Sequence, residues 1–119
     1  MDDRTDDGRL DDIRRYAMDA IETLGNATDA DFPNDPNLRH SIFYLVAIVG
    51  EAAAKTSPVA RRPYPAVPWR RLRRMRNILV HEYHSVKPDA IYRSVVKFLP
   101  SLIIALEATI DHPHGGQPL

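Results

Sequence analysis

The sequence predicts an all-α fold, an antiparallel bundle of four to five helices that pairs as a homodimer. Three observations point there. Apolar residues recur at three- and four-residue steps in four separate segments, turn and breaker residues fall between those segments, and no stretch alternates apolar with polar as a strand does. With 119 residues the chain is long enough for one domain and one core. The expected layout is an acidic, flexible N-terminus over residues 1–8, a helical domain over 9–111 and a flexible tail over 112–119.

The first helix is read from Leu10, Ile13, Ala17, Ile21 and Leu24, with Asp6 or Asp7 as its cap and Gly25-Asn26 as its stop. After a link over about 26–34, Asn34 or Asp35 caps the second helix and Pro36 fits its first turn. Leu38, Ile42, Leu45, Val46, Val49 and Ala53 form its apolar stripe. Phe43 and Tyr44 lie off that stripe, which predicts contact with more than one neighbour. Lys55 and then Ser57-Pro58 end it.

"SPVARRPYPAVPW" holds four prolines in thirteen residues and reads as non-helical. Pro68 opens the third helix, which runs through Trp69, Leu72, Met75 and Leu79 toward Tyr83. "HSVKP" breaks it. The fourth starts around Pro88-Asp89 and continues through Ile91, Val95, Phe98, Leu102, Leu106 and Ile110. Pro100 should bend or interrupt that helix. A second apolar set on it, Val96, Leu99, Ile103 and Ala105, asks for a further surface, and a second copy of the chain would supply one. In the tail, His112 and His114 read as part of a frayed terminus rather than a metal site.

Composition narrows the chemistry. Without cysteine there is no disulfide, no thiolate metal site and no cysteine nucleophile, which suits a cytoplasmic protein. No segment approaches the roughly 18 uninterrupted apolar residues of a membrane span. Net charge is zero, yet residues 1–36 carry eleven acids against four arginines, while residues 61–76 carry seven arginines and no acid. That separation fits an anionic ligand on one face; the plainer alternative is a mutual attraction of the two segments within the fold or across a dimer.

The candidates for chemistry converge on "RNILVHEY", residues 76–83. At about 100° per residue, Arg73, Asn77 and His81 share one stripe and Arg76 and Tyr83 stand nearly one above the other. His81 lies about 140° around the axis from Arg76. Either the helix ends in time to swing the imidazole back, or two copies meet so that one cleft gathers both pairs; the dimer is preferred. Such a cleft suits phosphodiester cleavage. Arginine holds the charge that builds on a phosphate, and histidine, with an ordinary pKa of about 6.5, moves a proton. RNA brings its own nucleophile in the 2′-hydroxyl, so neither metal nor cofactor is called for. Arg70, Arg71, Arg73 and Arg74 would hold flanking phosphates. Trp69 is a packing anchor or a stacking platform. Glu51 is a cleft residue or, as preferred, a partner for an arginine of the third helix. Periodicity alone leaves a solvated helix face open as well.

"PWRRLRRMRNILVHEY" resembles the signature of the HepT-like proteins, the toxin half of bacterial HEPN/MNT toxin–antitoxin pairs. Its motif, Arg, four residues, His, one residue, Tyr, is met by Arg76, His81 and Tyr83, and "VGEAAAKTS" at 49–57 is similar to the family's second-helix pattern. The resemblance implies a HEPN bundle whose dimer cleft is lined by the two motifs. It implies a metal-independent ribonuclease with Arg76 and His81 as catalytic pair; Asn77, otherwise a helix-surface amide, and Glu51 are read as supporting residues, and tRNA as a candidate substrate. It also implies a nucleotidyltransferase antitoxin of the MNT type that silences the toxin by transferring AMP to Tyr83. His84, Val86-Lys87-Pro88 and Tyr92 depart from the family pattern. The competing class is a non-catalytic helical dimer that binds a nucleotide or docks the nucleotidyltransferase, and a third is a purely structural dimer.

Overall fold

The computed structural model describes residues 5–108, and within them every regular element is helical. Met1 to Arg4, Ile110, His112, His114 and the expected tail lie outside the described residues. Helix α1 is Asp6–Leu24, α2 is Pro36–Lys55, α3 is Pro58–Arg61, α4 is Trp69–His81, α5 is Pro88–Arg93 and α6 is Leu99–Glu107. Short 3₁₀ turns cover Phe32–Asn34 and Tyr83–Ser85, and a π turn, Ser94–Phe98, joins α5 to α6. The all-α class read from periodicity is therefore the one observed. Among the described residues no helix is long and apolar enough to cross a membrane.

Helix α1 begins inside the segment expected to be the flexible N-terminus, and its cap is neither expected aspartate. Thr5 Oγ1 accepts the Gly8 N–H at 3.1 Å. Asp6 is drawn elsewhere: its carboxylate accepts the Ser57 N–H at 2.9 Å and the Ser57 hydroxyl at 2.7 Å. This contact sets the start of α1 against the end of α2, so the two run antiparallel. Gly25 stops α1 as predicted, with φ +55°, a left-handed conformation that costs glycine little.

Asp35 caps α2 by accepting the Leu38 N–H at 3.1 Å, with Pro36 in the first turn. Its apolar face inserts Ile42, Val46, Val49 and Ala53 into one core with Ile13, Ala17, Ala20 and Leu24 of α1, all at most 5% exposed. The core also takes Phe32 from the link, completely buried, beside which Tyr92 lies at 6.0 Å between ring centroids and donates its hydroxyl to Ala27 O at 3.0 Å.

Two expectations need correction. The proline-rich stretch does hold one helical turn, α3, because Ser57 Oγ accepts the Ala60 N–H at 3.2 Å and Pro58 is preset for a first helical position. Arg61 then binds the end of α2, donating Nε to Thr56 O at 3.0 Å and Nη2 to Ala53 O and Ala54 O, both at 3.4 Å. The second concerns the last helix. Pro100 has no N–H to give, and the wider π turn ahead of it accommodates that gap. Leu99, Leu102, Ala105 and Leu106 all join the monomer's own core. Val96 and Ile104, 45% and 66% exposed, remain outside. The second apolar set is thus largely satisfied within one chain.

Candidate functional site

The crossing of α2 and α4 is built on Gly50. A Cβ at that position would stand 2.6 Å from Arg76 Cβ, 3.1 Å from Arg76 Cα and 3.0 Å from Leu72 O, well inside ordinary contact. Only glycine lets the backbones approach so closely. Buried Leu72 and Leu79 pin α4 to the core from the same side. Arg76 consequently sits at the flank of α4, pressed against α2, with its side chain 25% exposed.

The next residue of α2 meets it there. Glu51 Oε1 lies 3.2 Å from Arg76 Nε, while Oε2 lies 2.9 Å from Lys55 Nζ. The Glu51 carboxyl is held below the usual carboxylate range, chiefly by the hydrogen bond from Lys55. The charges of Lys55, Arg76 and Arg9 act in the same direction, against partial burial. The Arg76 contact is an ion pair without hydrogen-bond alignment, because buried Nε has no hydrogen-bond partner among the described residues. Glu51 is thus the arginine partner that was preferred for it. The terminal nitrogens of Arg76 make no hydrogen bond or ion pair among the described residues, so its fork is free for an anion.

Helix α4 ends at His81, where Glu82 turns to φ −130° and ψ 37° while its N–H still reaches Ile78 O at 2.8 Å. His81 and Asn77 are exposed. No hydrogen bond or ion pair joins His81 to Arg76 among the described residues, as expected for side chains about 140° apart on an ideal helix.

The stacking expected of Tyr83 above Arg76 needs α4 to continue two residues further, and it does not. Instead the 3₁₀ turn Tyr83–Ser85 folds the phenol toward the start of α2. There its ring meets Phe43 edge-on at 5.4 Å, His84 edge-on at 5.5 Å and His40 at 6.2 Å. Tyr83 is 37% exposed and lines a pocket of about 260 Å³ with Arg39, His40, Phe43 and His84. Arg39 and His40 carried no sequence signal; only the fold brings α2 to the turn.

The remaining arginines diverge. Arg70, Arg71, Arg73 and Arg74 are all exposed. Arg71 and Arg74 turn toward α5 and line a pocket of about 220 Å³ with Ile78 and Ser94. Trp69 is a packing anchor: its indole N–H donates to Tyr64 O at 3.2 Å and its ring carries the Arg61 guanidinium at 5.5 Å.

Comparison with known proteins adds a family. The model of a family described as "Ribonuclease HepT-like" matches residues 10–109. The chain is 29% identical over 91 residues to the Methanocaldococcus jannaschii protein named "Putative RNase MJ1380", covering 76% of this chain and 84% of that one. It is 32% identical over 101 residues to the Thermococcus cleftensis protein named "Probable ribonuclease HepT", covering 76% of this chain and 92% of that one. No solved structure gives a significant match.

Proposed function

This chain belongs to the ribonuclease HepT-like family, and from that premise we propose that it is the toxin of a toxin–antitoxin pair, a metal-independent endoribonuclease acting through Arg76 and His81. The observation that carries the reading is the Gly50 crossing. It holds the Arg76 backbone against α2, with Glu51 on Nε, and the terminal guanidinium nitrogens make no hydrogen bond or ion pair among the described residues. A cation held this way costs little reorganisation when charge builds on a phosphate.

Since Arg76 and His81 lie on different sides of one α4, a complete site needs two copies. Two exposed apolar residues support that pairing. Tyr44, 65% exposed, stands seven residues before Glu51 on the same side of α2, and Val80, 55% exposed, stands one turn after Arg76 on α4. In the shared cleft the 2′-hydroxyl gives its proton to His81, its oxygen bonds to the adjacent phosphorus, and the bond to the 5′-oxygen breaks. That oxygen takes a proton from the protonated histidine of the second copy, leaving a 2′,3′-cyclic phosphate and a free 5′-hydroxyl.

Silencing is proposed to fall on Tyr83. A nucleotidyltransferase antitoxin of the MNT type joins the phenol oxygen to the α-phosphorus of ATP, pyrophosphate leaves, and the phenolic proton goes to solvent. The tyrosine's exposure and the pocket beside it leave room for the added nucleotide. The new anion would compete with RNA near the cleft.

The test is RNA incubated in chelator with the wild type, Arg76→Ala and His81→Ala. Cleavage reduced at least about 10²-fold in both variants is expected. Full activity in His81→Ala would remove the proton-transfer role. A second reading, a non-catalytic nucleotide-binding or nucleotidyltransferase-docking dimer, is favoured by the Tyr83 pocket with Arg39, His40 and His84 around it. Intact RNA with retained nucleotide binding would select it.

A further inference from the structure

Away from the Arg76–Glu51 crossing, α4 faces the π turn across a groove of about 510 Å³. Arg71, Arg93 and Lys97 line it with Ser94, Phe98 and Ser101, and among the described residues no acid does. Asp89 sits at its margin, 3.3 Å from Arg93 in a pair that is about 60% exposed on both sides. Solvent screens such a pair and it yields readily to a stronger anion.

Arg71 is the stacked member of this cluster. Its guanidinium stacks on the Phe98 ring, 3.9 Å from the centroid, and Phe98 is itself buried. Stacking fixes the plane of the fork and leaves its N–H edge available, so little entropy is lost when it binds a phosphate bidentately. The π turn contributes by widening the helix where Ser94, Lys97 and Phe98 line the groove. π turns frequently mark functional sites.

The groove also connects to the motif. The pocket holding Arg74 and Ile78 shares Arg71, Ala90 and Ser94 with it. Arg74 precedes His81 by seven residues, two turns on the same side of α4. Cations thus line one path from His81 through Arg74 and Arg71 to Arg93 and Lys97. The α4 part alone spans roughly 15 Å by helix rise. A compact anion would occupy one end; a polynucleotide backbone matches the whole length.

We propose that the groove between α4 and the π turn is a phosphate-binding subsite for the RNA strand beyond the scissile bond, formed by Arg71, Arg93 and Lys97. The inference rests on the ribonuclease reading and adds two cations outside the motif helix. Arg70 and Arg73 do not line this groove.

The experiment measures binding of a fully 2′-O-methylated 20-nucleotide RNA, which has no free 2′-hydroxyl to attack, over a range of salt concentrations. Arg93→Ala/Lys97→Ala should weaken affinity at least about tenfold, two charge-assisted contacts being lost. It should also reduce the slope of log K against log salt by about 1.4, at about 0.7 per phosphate contact on a single strand. Arg14→Ala/Arg15→Ala on α1, with the same change of net charge, should leave the slope unchanged, and Arg93→Lys/Lys97→Arg should restore it. Unchanged affinity and slope in the groove variant overturn the proposal, as does an equal loss in the α1 variant. Cleavage by the wild type is scored separately: RNA cut by the wild type but bound normally by the groove variant defeats the subsite alone, while a wild type that neither binds nor cuts defeats both readings.

Discussion

Gly50→Ala sets two effects of opposite sign against each other. In a helix interior alanine is favoured over glycine by about 0.5–1 kcal/mol, so propensity alone predicts a more stable protein. The new methyl, however, would stand 2.6 Å from Arg76 Cβ and about 3 Å from backbone atoms of Leu72 and Arg76. Comfortable carbon contacts lie at about 3.5–4.0 Å, so α2 and α4 must separate by roughly 1 Å. Neither obstructing group is the loose end of a side chain, and overpacking of this kind costs about 1–3 kcal/mol. Packing therefore wins, for a net loss of about 1–2 kcal/mol and a fall in Tm of several degrees, read by denaturant and thermal unfolding. Because the same displacement carries Arg76 away from Glu51, cleavage by the folded variant should drop about 10²-fold. A variant with raised Tm and undiminished cleavage would refute both the close crossing and its role in setting Arg76.

Arg61→Ala should destabilise the fold by about 1–2 kcal/mol in denaturant titration, since it uncaps the last carbonyls of α2 and removes the guanidinium from the Trp69 face. The Asp6 carboxyl is held below its ordinary value of 3.8, first by the Ser57 N–H and then by the Ser57 hydroxyl. Its stabilisation is accordingly complete above that value and is lost as pH falls through the lower folded one. Asp6→Asn should flatten the acid limb of the stability–pH curve, and an identical limb in the variant would show the contact to be idle. Tyr44→Glu is expected to weaken self-association about 10³-fold in sedimentation equilibrium, the equivalent of two buried aromatics, one per protomer, worth about 2 kcal/mol each, and to reduce cleavage in step. Cleavage that survives in the separated protomers would remove the shared cleft.

Much of the fold was legible from spacing. The apolar steps of α1, α2 and α4, the Asp35 cap, the Gly25 stop and the opening of α5 at Pro88 are local events governed by periodicity, capping and ring geometry, and these are written in adjacent residues. So was the pairing of Glu51, the lone acid of an apolar helix, with an arginine of the third helix. Tertiary structure decided what local rules leave open. The packing of Leu99 and Ala105 into the monomer's core undid most of the expected second apolar face. The end of α4 at His81, two residues early, sent Tyr83 to Phe43 and His40 on α2 instead of to Arg76. Gly50 gave no sign in sequence that its missing side chain was the space Arg76 occupies. Periodicity describes one helix at a time, whereas these outcomes depend on the distance between two helices, which is set by the packing of the whole core.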